Sequence, residues 1–388
     1  MKVNNGKIVV PSGIEYKVLV LPDHKVLSMD ALKKIEHLLS QGAEIIGYKP
    51  EHLVSLVGES KTQSEFHKLT EKIWGTSASK KGIKKYKKGV VAWGISARDY
   101  LMSKNLLPDF KILNDTVNTD NFDFIHYKFD NKDIYFVSNQ TDKAQEIQCQ
   151  FRISGFQPEI WDALNGEHRE ATSFYQKDNC TSLPLAFDPY GSIFIVFNKQ
   201  IDKNRQGKDK SNYPDYETVK IIEGAWNVFF EPKLGGPGKV TFTGLTDWST
   251  SSDNRIKYYS GPAIYYKTFD FSPEQGSNYS LQLEEVKDVG IAVVKINGKD
   301  KGITWTKPFR IDISNELING ENTLEIKIIN SWYNRVVGDE IHPNENQLTK
   351  TNIVLENDFR GRPLEKIPLE PSGLLGPVSI AKRINKME

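Results

Sequence analysis

Cysteine is nearly missing from this chain. Cys149 and Cys180 are the only two in 388 residues, too few for a disulfide framework and too far apart in sequence for a thiolate metal cluster. Both fall in one stretch of β pattern, so two buried thiols and a single bridge both remain open. Net charge is missing as well: 51 Lys and Arg stand against 50 Asp and Glu, leaving +1. That balance removes the electrostatic reason to expect nucleic acid or an anionic membrane as a partner. No apolar run approaches the ~20 residues that a membrane-spanning helix needs. The opening Met1-Lys2-Val3-Asn4-Asn5-Gly6 has no apolar core of a secretory signal, so no destination is expected from it. Also absent are a G-x-G-x-x-G turn, a Walker A loop and a G-x-S-x-G elbow, which disfavours nucleotide chemistry and acyl transfer. No internal repeat is visible.

What is present builds cores. A hydrophobic share of 38% with 11% aromatics fits folded domains, and the length points to two or three of them. Residues 1–118 read as an α/β layer. Tyr16 to Pro22 is a short apolar run ended by proline, as a buried parallel strand would be. Ser28 stands at a helix N-cap, Leu32, Ile35, Leu38 and Leu39 recur at helical spacing, and Gly42 takes the position after the helix end. Ala43 to Tyr48 resumes a strand, completing a βαβ unit. Leu53 to Asp109 reads as largely helical and rich in lysine, with Lys80, Lys81, Lys84, Lys85, Lys87 and Lys88 as its charge run. A solvated face explains that run more simply than a polyanion patch does. The layer as a whole is expected to be structural.

From about residue 119 the period changes to two. Phe124–Phe129 and Asp133–Asn139 read as strands joined by a turn, and Glu146–Ile153, Glu159–Asp162 and Ser192–Phe197 continue the pattern to residue 200. This is a small antiparallel β-sandwich. Residues 201–216 are polar without an apolar period and read as a linker. Residues 217–388 are again all-β, with strands at Trp226–Phe230, Ala263–Phe269, Ser280–Leu283, Gly290–Ile296 and Asn322–Asn330 and a hairpin turn at Asn297-Gly298. Strands of that number and length suggest a jelly roll.

The residues of this last module carry a resemblance. Gly224-Ala225-Trp226, Leu245-Thr246-Asp247-Trp248-Ser249, Tyr259-Ser260-Gly261-Pro262-Ala263, Ile296-Asn297-Gly298-Lys299, Gly302-Ile303-Thr304-Trp305 and Asn330 to Arg335 with Gly338-Asp339-Glu340 resemble landmarks of a galactose-binding-like domain. Domains of that kind occur in family 2-type and family 106-type glycoside hydrolases. Upstream, Asp133–Asn139, Pro158–Asp162 and Gly191–Phe197 resemble the preceding module of family 106 α-L-rhamnosidases, and Tyr16–Pro50 resembles the α/β layer after their catalytic barrel. The resemblance implies the C-terminal portion of such an enzyme: a flavodoxin- or amidotransferase-like α/β layer, an antiparallel β-sandwich and a galactose-binding-like jelly roll.

In that family the catalytic carboxylates sit on a (β/α)₈ barrel, and no pair in this chain matches their motif, so no catalytic residue is carried over. Family members are often exported or periplasmic. The implied role is an accessory, carbohydrate-binding or scaffold region, with a rhamnose-containing glycan or a separate catalytic barrel as partner. A stand-alone hydrolase of pectic glycans and a ligand-free structural remnant are the alternatives. Trp305, Trp332, Asn334 and Arg335 are the candidate sugar contacts, although Arg335 is better explained as an ion pair to Asp339 or Glu340. Trp226 and Trp248 are expected in the core, and His126 as a hydrogen-bonded structural residue. The resemblance also implies a structural calcium ion, with Asp247, Asp253, Asp339 and Glu340 as candidate ligands on oxygen-rich loops, Asn254 among their neighbours.

Overall fold

The computed structural model describes residues 1–54, 60–76, 79–288, 290–342, 347–350 and 367–384. The chain divides into two compact units, Met1–Asp109 and Phe110–Glu388, and sheet dominates over helix in the whole.

In the first unit, Val18–Val20, Glu44–Ile46 and Gly89–Trp93 lie parallel, and Gly82–Tyr86 adds an antiparallel edge. Helix α1 (Met29–Gln41) links the first two strands. Ser28 Oγ accepts from Ala31 N at 3.2 Å, and Gly42 closes the helix at φ 108°, a conformation that suits glycine. Leu32, Ile35, Leu38 and Leu39 are its buried face, as their spacing predicts. Helix α2 (Ser60–Trp74) supplies Phe66, Ile73 and Trp74 to the same core.

The lysine run is a correction to the helical expectation. Gly82–Tyr86 and Gly89–Trp93 form a hairpin, and between it and Asp109 only Ala97–Ser103 (α3) is helical. Along Gly82–Tyr86 exposure alternates, with Ile83 and Lys85 exposed and Gly82, Lys84 and Tyr86 less so. Charged side chains on an edge strand also blunt it against unwanted pairing.

The second unit holds two sandwiches. In one, the sheet Phe110–Ile112, Gln145–Phe151, Cys180–Phe187, Tyr175–Lys177 faces the sheet Phe122–Lys128, Asp133–Asn139, Ser192–Gln200, Phe156–Trp161, His168–Glu170 across a shared apolar core. Phe110–Ile112 therefore pairs inside this unit, ahead of the boundary at 118 that composition suggests. Cys149 and Cys180 are both free and buried. Cys149 faces Leu183 across the strand pair, which puts Cys180 ~10 Å along the neighbouring strand, beyond disulfide reach. Burial raises both thiols above their usual range, and Asp178 adds to the effect at Cys180 against a weaker pull from Arg152. Thiolate is thereby scarce. The native chain is expected to resist a thiol-specific reagent at pH 8 and to react at both cysteines in denaturant; rapid native labelling would contradict this burial.

The polar stretch after residue 200 is no free linker. Asn212 is buried, its Oδ1 accepting from Thr172 N and Ser173 N at 2.9 and 2.8 Å, its Nδ2 donating to Ser173 O and Pro184 O. Gln206 Oε1 accepts from Gln176 N at 2.7 Å. Side-chain amides thus strap the segment to the sandwich, which is why it needs no apolar period.

The second sandwich pairs Asp215–Ile221 with the final described strand, Ser379–Ile384, in a sheet completed by Tyr279–Gln282 and Arg310–Asp312. Opposite lies a six-stranded sheet ordered Gly238–Phe242, Trp226–Phe230, Pro262–Phe271, Gly320–Ile329, Ile291–Ile296, Lys299–Thr304. Trp226, Trp248, Phe230, Tyr259 and Tyr265 fill the core between them. The short helix α4 (Asn254–Lys257) and helix α5 (Tyr333–Ile341) sit in its connections.

Candidate functional site

The six-stranded sheet brings the candidate tryptophans to one end. Asn297 and Gly298, both at positive φ, turn the hairpin at the far end. Thr304 then pairs with Ala292, so Trp305 follows at the level of Ile291, which itself pairs with Ile329. Residues 330–333 leave the sheet at that level, two strands away, a separation of ~10 Å between backbones. Trp305 and Trp332 are 57% and 50% exposed, and Ile303 and Tyr333 beside them are exposed too. Two indoles open to solvent at one sheet end offer ring faces of the kind that meet the C–H face of a pyranose.

Asn334 and Arg335 do not join them at the surface. The segment expected as a loop is α5, and both side chains point into the molecule. Asn334 Nδ2 donates to Glu370 O at 2.7 Å and Ser372 Oγ at 3.0 Å, while Oδ1 accepts from Glu370 N at 2.9 Å. Arg335 Nε donates to Asp339 Oδ1 at 2.8 Å, one helical turn on, and its terminal nitrogen reaches the same oxygen. The other carboxylate oxygen, Oδ2, accepts from Leu348 N, Thr349 N and Thr349 Oγ1 at 3.0, 2.7 and 2.7 Å. Burial alone would raise the Asp339 carboxyl, but Arg335 and the Thr349 donors outweigh it and hold the group below its ordinary value. Gly338 is required between them, because a Cβ there would come 2.5 Å from the Tyr258 ring.

The candidate calcium ligands are not gathered. Asp247 Oδ1 accepts from Ser249 N and Ser372 N, both at 2.9 Å. Asp253 caps α4 and binds the Arg255 guanidinium through both oxygens. Asp339 is engaged as described, and Glu340 is half-buried on α5. Calcium asks for six to eight oxygens converging on one point. These four carboxylates do not supply that, and among the described residues no group of three or more His, Cys, Asp or Glu does.

Two residues that the sequence gave no reason to single out tie this end together. Asp288 accepts from Ser331 Oγ at 2.7 Å and from Ser372 Oγ at 3.3 Å. Ser372 thereby joins loops contributed from near residues 247, 288 and 334. Their partners lie 84 and 125 residues apart in sequence, a spacing that no local pattern reveals. Trp226 and Trp248 are core residues, 1% and 0% exposed. In the first sandwich, His126 stacks on Tyr135 with ring centres 4.0 Å apart, and its Nε2 meets Asp133 Oδ1 at 2.8 Å, a structural arrangement.

Comparison with known proteins adds kinship. Residues 1–177 match the family model described as alpha-L-rhamnosidase of glycoside hydrolase family 106. The rhamnosidase of Novosphingobium sp. PP1Y superposes with a TM-score of 0.78 at 29% identity, covering 98% of this chain and 35% of that one. A putative beta-glucuronidase of Formosa agariphila is 26% identical across 99% of this chain and 52% of its own length. The chain thus spans about half of that curated relative and about a third of the solved rhamnosidase. It is similar to the family 106 α-L-rhamnosidases, β-rich and rhamnosidase-like in fold.

Proposed function

We propose that this relative of the α-L-rhamnosidases acts as an accessory, carbohydrate-binding region of a glycoside hydrolase, with the hydrolytic carboxylates supplied elsewhere. The second sandwich is then a galactose-binding-like jelly roll, and the whole corresponds to the C-terminal portion of the family architecture. One observation carries the reading: the exposed indoles of Trp305 and Trp332 share one end of the six-stranded sheet, while the buried polar groups behind them are committed to holding loops. Hydrolysis needs an acid and a second carboxyl about 5–9.5 Å apart across a pocket. Asp339, the acidic group most enclosed there, is held ionised by Arg335 and is a poor proton donor.

An open rim of two rings with few hydrogen bonds binds weakly, with Kd of order 1 mM, roughly −4 kcal/mol. Titrating L-rhamnose and rhamnose-containing pectic oligosaccharides while following the indole N–H signals by NMR tests this. Shifts at Trp305 and Trp332, lost in Trp305→Ala and Trp332→Ala, are expected. Release of free sugar by the chain would overturn the accessory role, and an absence of shifts would favour a scaffold without ligand.

A further inference from the structure

We infer that the first unit carries a second saccharide site, a cleft at the carboxyl edge of its parallel sheet shaped for a sugar bearing a carboxylate. The cleft encloses about 460 Å³. Asp23 and Lys25 follow the strand Val18–Val20, Tyr48 and Lys49 follow Glu44–Ile46, and Trp93 ends Gly89–Trp93, so consecutive parallel strands deliver the lining. In open α/β sheets this edge is where ligands bind.

The aromatic surfaces are fixed in advance. Trp74 forms the floor, 3% exposed, with its indole N–H donated to Gly47 O at 2.9 Å. Trp93 donates to Ser79 O at 2.9 Å and lies flat over its strand partner Gly82, where a Cβ would come within 2.2 Å of the ring. Tyr48, 46% exposed, stands as a wall. Rings held this way lose little freedom on meeting a sugar face.

The charges select the ligand class. Lys25, Lys49 and Lys80 face Asp23 and Glu51 in the lining, an excess of one positive charge. Lys25 and Glu51 pair at 2.8 Å. Lys49 Nζ is anchored by Gly75 O at 3.0 Å and keeps further N–H donors. Lys80, exposed at the mouth, supplies the second ammonium. Carboxylates such as Asp23 accept from sugar hydroxyls, while the ammonium groups meet an acid on the ring. A phosphate-bearing sugar is a poorer match. Phosphate cradles use converging backbone amides, whereas here Leu21 N is bonded to Ile46 O at 2.7 Å and Gly47 N to Ala92 O at 2.8 Å.

The test is calorimetric titration of the full chain with trigalacturonate, its carboxyl-reduced counterpart and glucose 6-phosphate. Trigalacturonate is expected to bind, the reduced sugar up to about fivefold more weakly, as one exposed charge contact allows. Binding should weaken with salt, fall in Tyr48→Ala and Lys80→Gln, and persist in Trp305→Ala, which separates this cleft from the sheet end. Circular dichroism of the rim variants, whose side chains lie outside the core, checks that they fold. Equal binding of acidic and reduced sugar, tighter binding of glucose 6-phosphate, indifference to both rim substitutions or no binding would each overturn the assignment.

Discussion

Asp339→Ala is expected to lower the stability of the second unit by about 3–5 kcal/mol, the range for removing one partner of a buried ion pair. The substitution leaves the Arg335 guanidinium buried without the carboxylate that now takes two of its N–H groups. It also releases Leu348 N, Thr349 N and Thr349 Oγ1, so the segment around 348 loses its tie to α5. Urea unfolding followed by tryptophan fluorescence measures the loss, and a change below about 1 kcal/mol would show that the pair is dispensable. Replacing both partners by apolar residues, Arg335→Met with Asp339→Leu, should recover most of it, because neither charge is then stranded. The pH dependence has a definite sign. Asp339 titrates below its ordinary value of 3.8 when folded, so its contribution is complete above that value and is lost as pH falls through the lower folded one. Acidification below about pH 4 should therefore narrow the gap between wild type and Asp339→Ala.

Trp248→Ala is the second large effect, again about 3–5 kcal/mol. Its ring is fully enclosed, with Phe230, Tyr259 and Tyr265 ring centres at 5.2, 5.9 and 6.4 Å. Its indole N–H donates to Tyr265 Oη at 2.7 Å. Truncation leaves a cavity between the two sheets and removes a partner from a buried phenol whose ionisation burial already opposes. Gly373 adds to the sensitivity, since it passes so close to the indole that a Cβ there would lie 2.5 Å from Nε1. Thermal and urea unfolding of Trp248→Ala and Trp248→Phe should show the phenylalanine variant losing less. Equal losses would mean that the indole N–H bond to Tyr265, which both variants lack, outweighs cavity and ring packing.

These two residues also mark what the sequence could and could not disclose. Helix α1 was legible because its signals are local: a serine cap, four apolar residues at helical spacing and a glycine at the end. Trp248 was expected in the core as a strand residue; it is core, but from the short 3-10 turn Trp248–Thr250. The hairpin Gly82–Trp93 was hidden because its four lysines mask an alternation carried by few apolar side chains. Helix α5 was hidden because Gly338 in its middle suits a loop equally well, until Tyr258 packs against it. The candidate sugar contacts split for a similar reason. Trp305 and Trp332 stay exposed, whereas Asn334 and Arg335 are drawn inward by Glu370, Ser372 and Asp339, two of them 36 and 38 residues away. Residue type suggested the chemistry; only distant partners decided which groups were left for it.

The pairing of Asp215–Ile221 with Ser379–Ile384 has a mechanical side. Asp215 lies opposite Ile384, so the module's entry and exit emerge side by side at one end of one strand pair. A tension applied through both would peel that pair open, loading its hydrogen bonds one after another and never all together in shear. The sandwich is thus soft to pulling at this strand pair. The same closeness makes it a natural guest, able to sit within a surface loop of a host protein without stretching the host's chain.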